Sequence, residues 1–290
     1  MSNPYFERSP QFGKSKPSVG APSPYGVPGQ QQAYGQTSNV PQGYDPQFQT
    51  VEQSYYGPAA GSAQTGRMTY DDVIMKTAGL LAIVVGAAAV SWLLFPGNMA
   101  VMLIGLVVGL VLGLVNSFKR EPSPALIVGY AAFEGLFLGG ISGVFEMINP
   151  GIVLQAVLAT FVTFAVTLAL FKSGKVRVTP KFTKFLLISL VSYGVFSLVN
   201  LGIMWFTDLG GAWGIRSVEV FGIPLGVLIG LFAVGLAAMS LIMDFDMITK
   251  GIRNGAPRKY AWSAAFGITV TLVWLYIEFL RLLMILRGNN

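Results

Sequence analysis

Among the carboxylates in or at the ends of apolar stretches of this chain, Glu134, Asp244, Asp246 and Glu278 stand out. A charged side chain inside a membrane segment costs roughly 2.5 to 3.5 kcal/mol on insertion scales, so such acids mark an ion path, a proton relay or a paired contact. The sequence contains neither Cys nor His. That removes disulfides, thiolate nucleophiles, imidazole metal ligands and the ordinary histidine pH sensor. A metal site has to be built from oxygen, which suits hard cations such as Ca²⁺. Titration near neutral pH has to come from carboxyls shifted by burial or by a like charge. An intramembrane aspartyl hydrolase needs two acids within about 3 Å of each other sharing a water; no enzymatic activity and no resident cofactor are expected.

The elements that must position these acids are membrane helices. Of the 290 residues 53% are hydrophobic and 11% charged, with a mean hydropathy of +0.61, whereas soluble domains carry roughly 25% charged residues. Apolar runs cover about 74–95, 99–118, 125–147, 151–171, 185–206, 220–243 and 261–286. A run of about 20 residues crosses a hydrocarbon core of roughly 30 Å, so the expected fold is all-α, a polytopic bundle of seven transmembrane helices over residues 67–290. Gly105, Gly109 and Gly113 form a small-residue stripe on the second span, which lets another helix approach. Glu134 lies beside Gly135, Gly139, Gly140 and Gly143 on the third span. Thr160, Thr163 and Thr167 offer polar contacts on the fourth. Asp244 and Asp246 are expected to end the sixth span, with Pro224 in its first turns. Glu278 stands inside the seventh, with Arg281 three residues on and able to pair with it.

Residues 1–66 hold most of the prolines and nearly all the glutamines, with tyrosines spaced between them. Such a composition buries too little apolar surface to fold, and the segment lacks the basic start and apolar stretch of a signal peptide. It is expected to be a disordered cytoplasmic tail. The net charge of +6 is distributed in loops. Lys119 and Arg120 follow the second span; Lys172, Lys175, Arg177, Lys181 and Lys184 surround the gap after the fourth; Lys250, Arg253, Arg258 and Lys259 follow the sixth. The intervening loops hold Arg216 alone. By the positive-inside rule the N-terminus is cytoplasmic and the C-terminus outside the cell membrane. This pattern reads as topology, so the lipid bilayer is the expected partner and nucleic acid is not.

Three stretches then resemble the Bax inhibitor-1, or transmembrane Bax inhibitor motif, family in its bacterial branch: Gly129-Tyr130 through Glu134 to Ser142, Asp244-Phe-Asp-Met-Ile248, and Leu275-Tyr-Ile-Glu278 through Leu283. The resemblance spans about residues 67–287, and the tail with its Met-Thr-Tyr-Asp-Asp entry is similar to actinobacterial members. It implies a pH-sensitive Ca²⁺ leak channel governed by acids on the sixth and seventh helices. Asp244, four residues before Ile248, matches the first; Glu278 stands where the family has aspartate and reaches one methylene further. Asp246 and Glu134 would support them. A basic latch would fall to Lys119, Arg120 or Arg281.

Two carboxyls brought together in a poorly solvated site cannot both ionise cheaply and titrate as a coupled pair. A shared proton clamps the two helices; once both ionise, the same oxygens can hold a passing Ca²⁺ transiently. Depth opposes a direct meeting. If the seventh helix entered the membrane at Ala264, Glu278 would lie about 21 Å along it at 1.5 Å per residue, while Asp244 lies near the cytoplasmic end of its own helix. The pair meets if the seventh helix extends into the cytoplasm; otherwise Glu278 pairs with Arg281 or Glu134, and Asp244 with Lys250 or a loop arginine. Two alternatives use the same residues differently. One is a proton-coupled transporter of a small solute; the other is a scaffold that regulates a membrane-protein partner such as a protease.

Overall fold

The computed structural model describes residues 66–207 and 211–288. The tail expected over 1–66 lies outside the described residues except for Gly66. Seven helices follow: α1 Tyr70–Leu94, α2 Met99–Phe118, α3 Pro124–Ile148, α4 Ile152–Lys172, α5 Pro180–Phe206, α6 Leu225–Arg253 and α7 Ala261–Gly288. Each is long and apolar enough to cross a membrane, so the protein is a multi-pass membrane protein of all-α architecture.

Local chemistry sets the helix ends. Thr69 and Asp72 form a reciprocal capping box at the start of α1, which satisfies two orphan amides. Asn98 Oδ1 accepts from the Ala100 and Val101 amides to start α2, and Thr179 caps α5 in front of Pro180. Glu146, at the end of α3, accepts from the amides of Gly151 (2.6 Å) and Val153 (3.1 Å) at the start of α4. Its negative charge there complements the helix dipole.

Packing follows side-chain size. Gly105 of α2 leaves room for the backbone of Phe133 and Phe137 in α3, within 2.8 Å of where a Cβ would sit. On its other side α3 presents Gly135 and Gly139 against the carbonyls of Val84 and Ala88 in α1. The glycine-rich face beside Glu134 is therefore the close contact surface among the first three helices. α7 is the central helix, packing on α6, α1, α4 and α3. In its span 61% of the most apolar window is buried, against 11% in α2 and α5. α5 is peripheral and packs chiefly on α6 and on the 3-10 segment Gly211–Ser217.

The sixth span differs from expectation at both ends. Glu219–Val220 (β1) and Ile223–Pro224 (β2) pair antiparallel around a turn in which Phe221 and Gly222 both have positive φ, the geometry of a two-residue hairpin. Pro224 thus precedes α6 and is not in its first turns. At the other end α6 continues to Arg253, followed by Gly255 at φ 67°. Asp244 and Asp246 consequently lie inside the helix rather than at its end, with more than a turn beyond each of them.

The face of the bundle that carries the start of α1, here the N-face, also holds the α6–α7 connection. The two are stitched together: the Met68 amide donates to Ala256 O (2.8 Å) and the Arg258 amide to Gly66 O (2.8 Å). Arg258 Nε also reaches Asp72 Oδ1 at 2.7 Å, and Met68 is buried beneath. The opposite face, the C-face, holds the hairpin, the 3-10 segment and the end of α7.

Candidate functional site

α6 and α7 place the two acids at different depths. Asp244 is half-buried and its Oδ2 accepts from the Thr271 hydroxyl at 2.9 Å. Its Oδ1 lies 3.5 Å from the position a Cβ on Gly267 would take, an ordinary contact distance that sets the carboxylate against α7. No ion pair involves Asp244 among the described residues. Lys250 instead pairs with Asp246 at 2.6 Å, and Arg258 with Asp72. Lys250 and Arg258, two of the expected partners of Asp244, are thus engaged elsewhere.

Glu278 is seven residues further along α7 than Thr271, about 10 Å at the helical rise of 1.5 Å per residue. It is 1% exposed, and no hydrogen bond joins it to Asp244. Arg281 Nη1 donates to both its oxygens at 3.2 Å, as the spacing of three allows. The Trp274 indole donates to Oε1 at 3.1 Å, and the Tyr193 hydroxyl of α5 makes a short hydrogen bond to the same oxygen. Tyr193 in turn accepts from Arg281 Nη1 (3.1 Å) and Arg216 Nη2 (3.2 Å). Arg216, 4% exposed, also donates to Ser197 Oγ at 3.3 Å, and its guanidinium lies 5.7 and 5.5 Å from the ring centres of Tyr193 and Phe196.

Arg216 reaches this position because the 3-10 segment folds inward over α5. Gly214 has φ 59° and ψ −137°, and a Cβ there would lie 2.7 Å from Asn200 Oδ1; the conformation and the space both demand glycine. Gly226 of α6 makes the matching space, with Arg216 O at 3.0 Å from its absent Cβ. Arg216, Tyr193, Ser197 and Trp274 were not singled out as site residues from sequence. The detectable signal was an arginine within the otherwise uncharged stretch after Asp208, flanked by glycines.

The remaining acids fall elsewhere. Glu134 is buried on α3 with Oε2 2.9 Å from the absent Cβ of Gly109 in α2, and among the described residues it has no hydrogen-bonded or ionic partner. Lys119 and Arg120 lie in the α2–α3 loop on the N-face and form no ion pair among the described residues; beside them Glu121 pairs with Lys259 at 2.8 Å. The basic residue that holds Glu278 is Arg281. Among the described residues no three acids gather to hold a metal ion. Two apolar crevices of about 340 and 440 Å³ run between α1 and α4 over Leu272 of α7. Their walls suit acyl chains rather than an ion.

Seven helices long and apolar enough to cross a membrane, with carboxylates on the antiparallel helices α6 and α7, define an integral membrane protein. The family model described as Bax inhibitor 1 like matches residues 3–288, and the chain belongs to that family. The match extends through the tail, beyond the 67–287 on which the motifs lie. No curated protein matches the chain.

Proposed function

We propose that the protein is a pH-sensitive leak for small cations, Ca²⁺ first among them, across the cell membrane, with its N-face in the cytoplasm. The observation that carries this reading is Asp244. It stands at the interface of the two central helices without a cationic partner, held by one neutral hydroxyl, while Asp72, Asp246 and Glu278 are each paired with a base. Ionised, such a carboxylate attracts a cation but offers too few oxygens to retain it, since Ca²⁺ takes six to eight; weak holding is what conduction requires. Protonated, it loses that attraction and the leak falls. Glu278 acts in series with it, two helical turns towards the C-face, locked by Arg281 and Tyr193 in this closed arrangement. Glu134 is a second unpaired carboxylate on the scaffold helices. The basic loops on the N-face support its cytoplasmic placement.

The test is Ca²⁺ flux into proteoliposomes across about pH 5 to 8, for wild type and Asp244→Asn. Flux should rise with pH in the wild type and lose that dependence in the variant. No flux above empty liposomes at any pH would refute the leak. A scaffold that regulates a partner protein would then be favoured, because the clasp of residues 66–68 on the α6–α7 connection ties the chain's N-terminal arm to the helices bearing the acids.

A further inference from the structure

The cluster around Glu278 is unbalanced. It holds two guanidinium groups, Arg216 and Arg281, and one carboxylate. Arg281 is paired with that carboxylate; among the described residues Arg216 is in no ion pair, although it is among the most deeply buried charged residues described. Its Nε and Nη1 are buried and donate to nothing. The neighbours cannot absorb them: the Tyr193 hydroxyl already donates once and accepts twice, which exhausts its one proton and two lone pairs. Stacking on Tyr193 and Phe196 offsets part of the charge but supplies no acceptor. A buried cation left without a counter-charge is a strongly destabilising arrangement, and water could satisfy the donors without cancelling the charge.

The geometry points to a binding site for one small monovalent inorganic anion, of the chloride class, on Arg216 at the C-face end of α5 and α7. Halide is favoured over a bulky oxyanion because the open donors lie in a closed interior beside aromatic rings, with a fixed carboxylate, Glu278, one residue away across Tyr193 to repel a second negative charge. The ion would complete a chain of alternating charge: anion, Arg216, Tyr193, Glu278, Arg281. The assignment is independent of the leak reading, because its readout is equilibrium binding and not flux.

The experiment uses the full chain purified in detergent with gluconate as the sole anion, titrated with chloride at constant ionic strength. Tryptophan emission, with Trp274 and Trp213 beside the cluster, and thermal unfolding are followed together. The expected result is a saturable change in both, with Arg216→Gln raising the half-saturating chloride concentration by about tenfold or more. Lys259→Gln, a surface base on the other face, should leave that concentration unchanged. Identical emission and unfolding of the wild type in chloride and gluconate would overturn the site whether or not the Arg216 variant folds. So would a response to sulfate with none to chloride, which would assign the donors to an oxyanion instead.

Discussion

Asp244 and Glu278 lie on neighbouring helices of one bundle, yet they are held in opposite ways. Glu278 is enclosed at the C-face end by two arginines, a tyrosine and a tryptophan, so almost every oxygen lone pair and much of its charge is answered. Asp244, towards the N-face, has one hydroxyl partner, Thr271, and packs against Gly267. A charge whose oxygens are hydrogen-bonded on all sides contributes rigidity; one held by a single neutral group is less firmly built into the fold. On the proposed reading Glu278 is a lock at one end and Asp244 a switch at the other.

The largest expected effect is at the lock. Glu278→Gln leaves the buried Arg216 and the half-buried Arg281 without a carboxylate and should destabilise the protein by about 3–5 kcal/mol, read by thermal unfolding in detergent. Replacing Arg281 by Gln in the same chain should recover part of that loss. Next, Tyr193→Phe removes a hydroxyl that serves three charged neighbours and should cost about 1–3 kcal/mol, with α5 loosened first, seen as faster hydrogen exchange along that helix than along α3. At the switch the effect on stability is smaller. Thr271→Val removes one hydrogen bond to Asp244, so about 1 kcal/mol is expected, together with a shift in the pH at which flux turns on. Equal losses in Glu278→Gln and Asp244→Asn would show that the two acids are embedded alike and would end the contrast drawn above.

The smallest effect is expected at the N-face surface. The hydrogen bond and charge of Lys259 hold the Glu121 carboxyl below its ordinary value. Its contribution is thus complete above the unfolded carboxylate range and lost as pH falls through the lowered folded value. Glu121→Gln should lower the unfolding temperature slightly at neutral pH and not at all in acid, and salt should erase the difference.

Much of the fold was legible because membrane helices announce themselves in one dimension. The second span was bounded at Met99 and Phe118, where its helix begins and ends, since a Pro-Gly-Asn turn and a basic loop enclose an uninterrupted apolar run. The stripe at Gly105 and Gly109 and the glycines after Glu134 were legible as contact surfaces, because a helix bare of side chains on one face has to be covered by another. The Arg281–Glu278 pair was legible from a spacing of three. Misplaced were the ends of the sixth span, where hydropathy falls at Asp244 but backbone hydrogen bonding does not, and where a two-residue hairpin holds Pro224 outside the helix.

The sequence by itself determined that this chain is a seven-span membrane protein of the Bax inhibitor-1 type with acids in its apolar spans, because span length, apolar composition and motif order are properties of the chain read in order. Only the tertiary structure decided which charge meets which. Arg216 of the 3-10 segment is 62 residues before Glu278 of α7 and joined to it through Tyr193 of α5, 85 residues before Glu278. Such a meeting depends on the inward fold at Gly214 and the space left by Gly226, and no one-dimensional period encodes it.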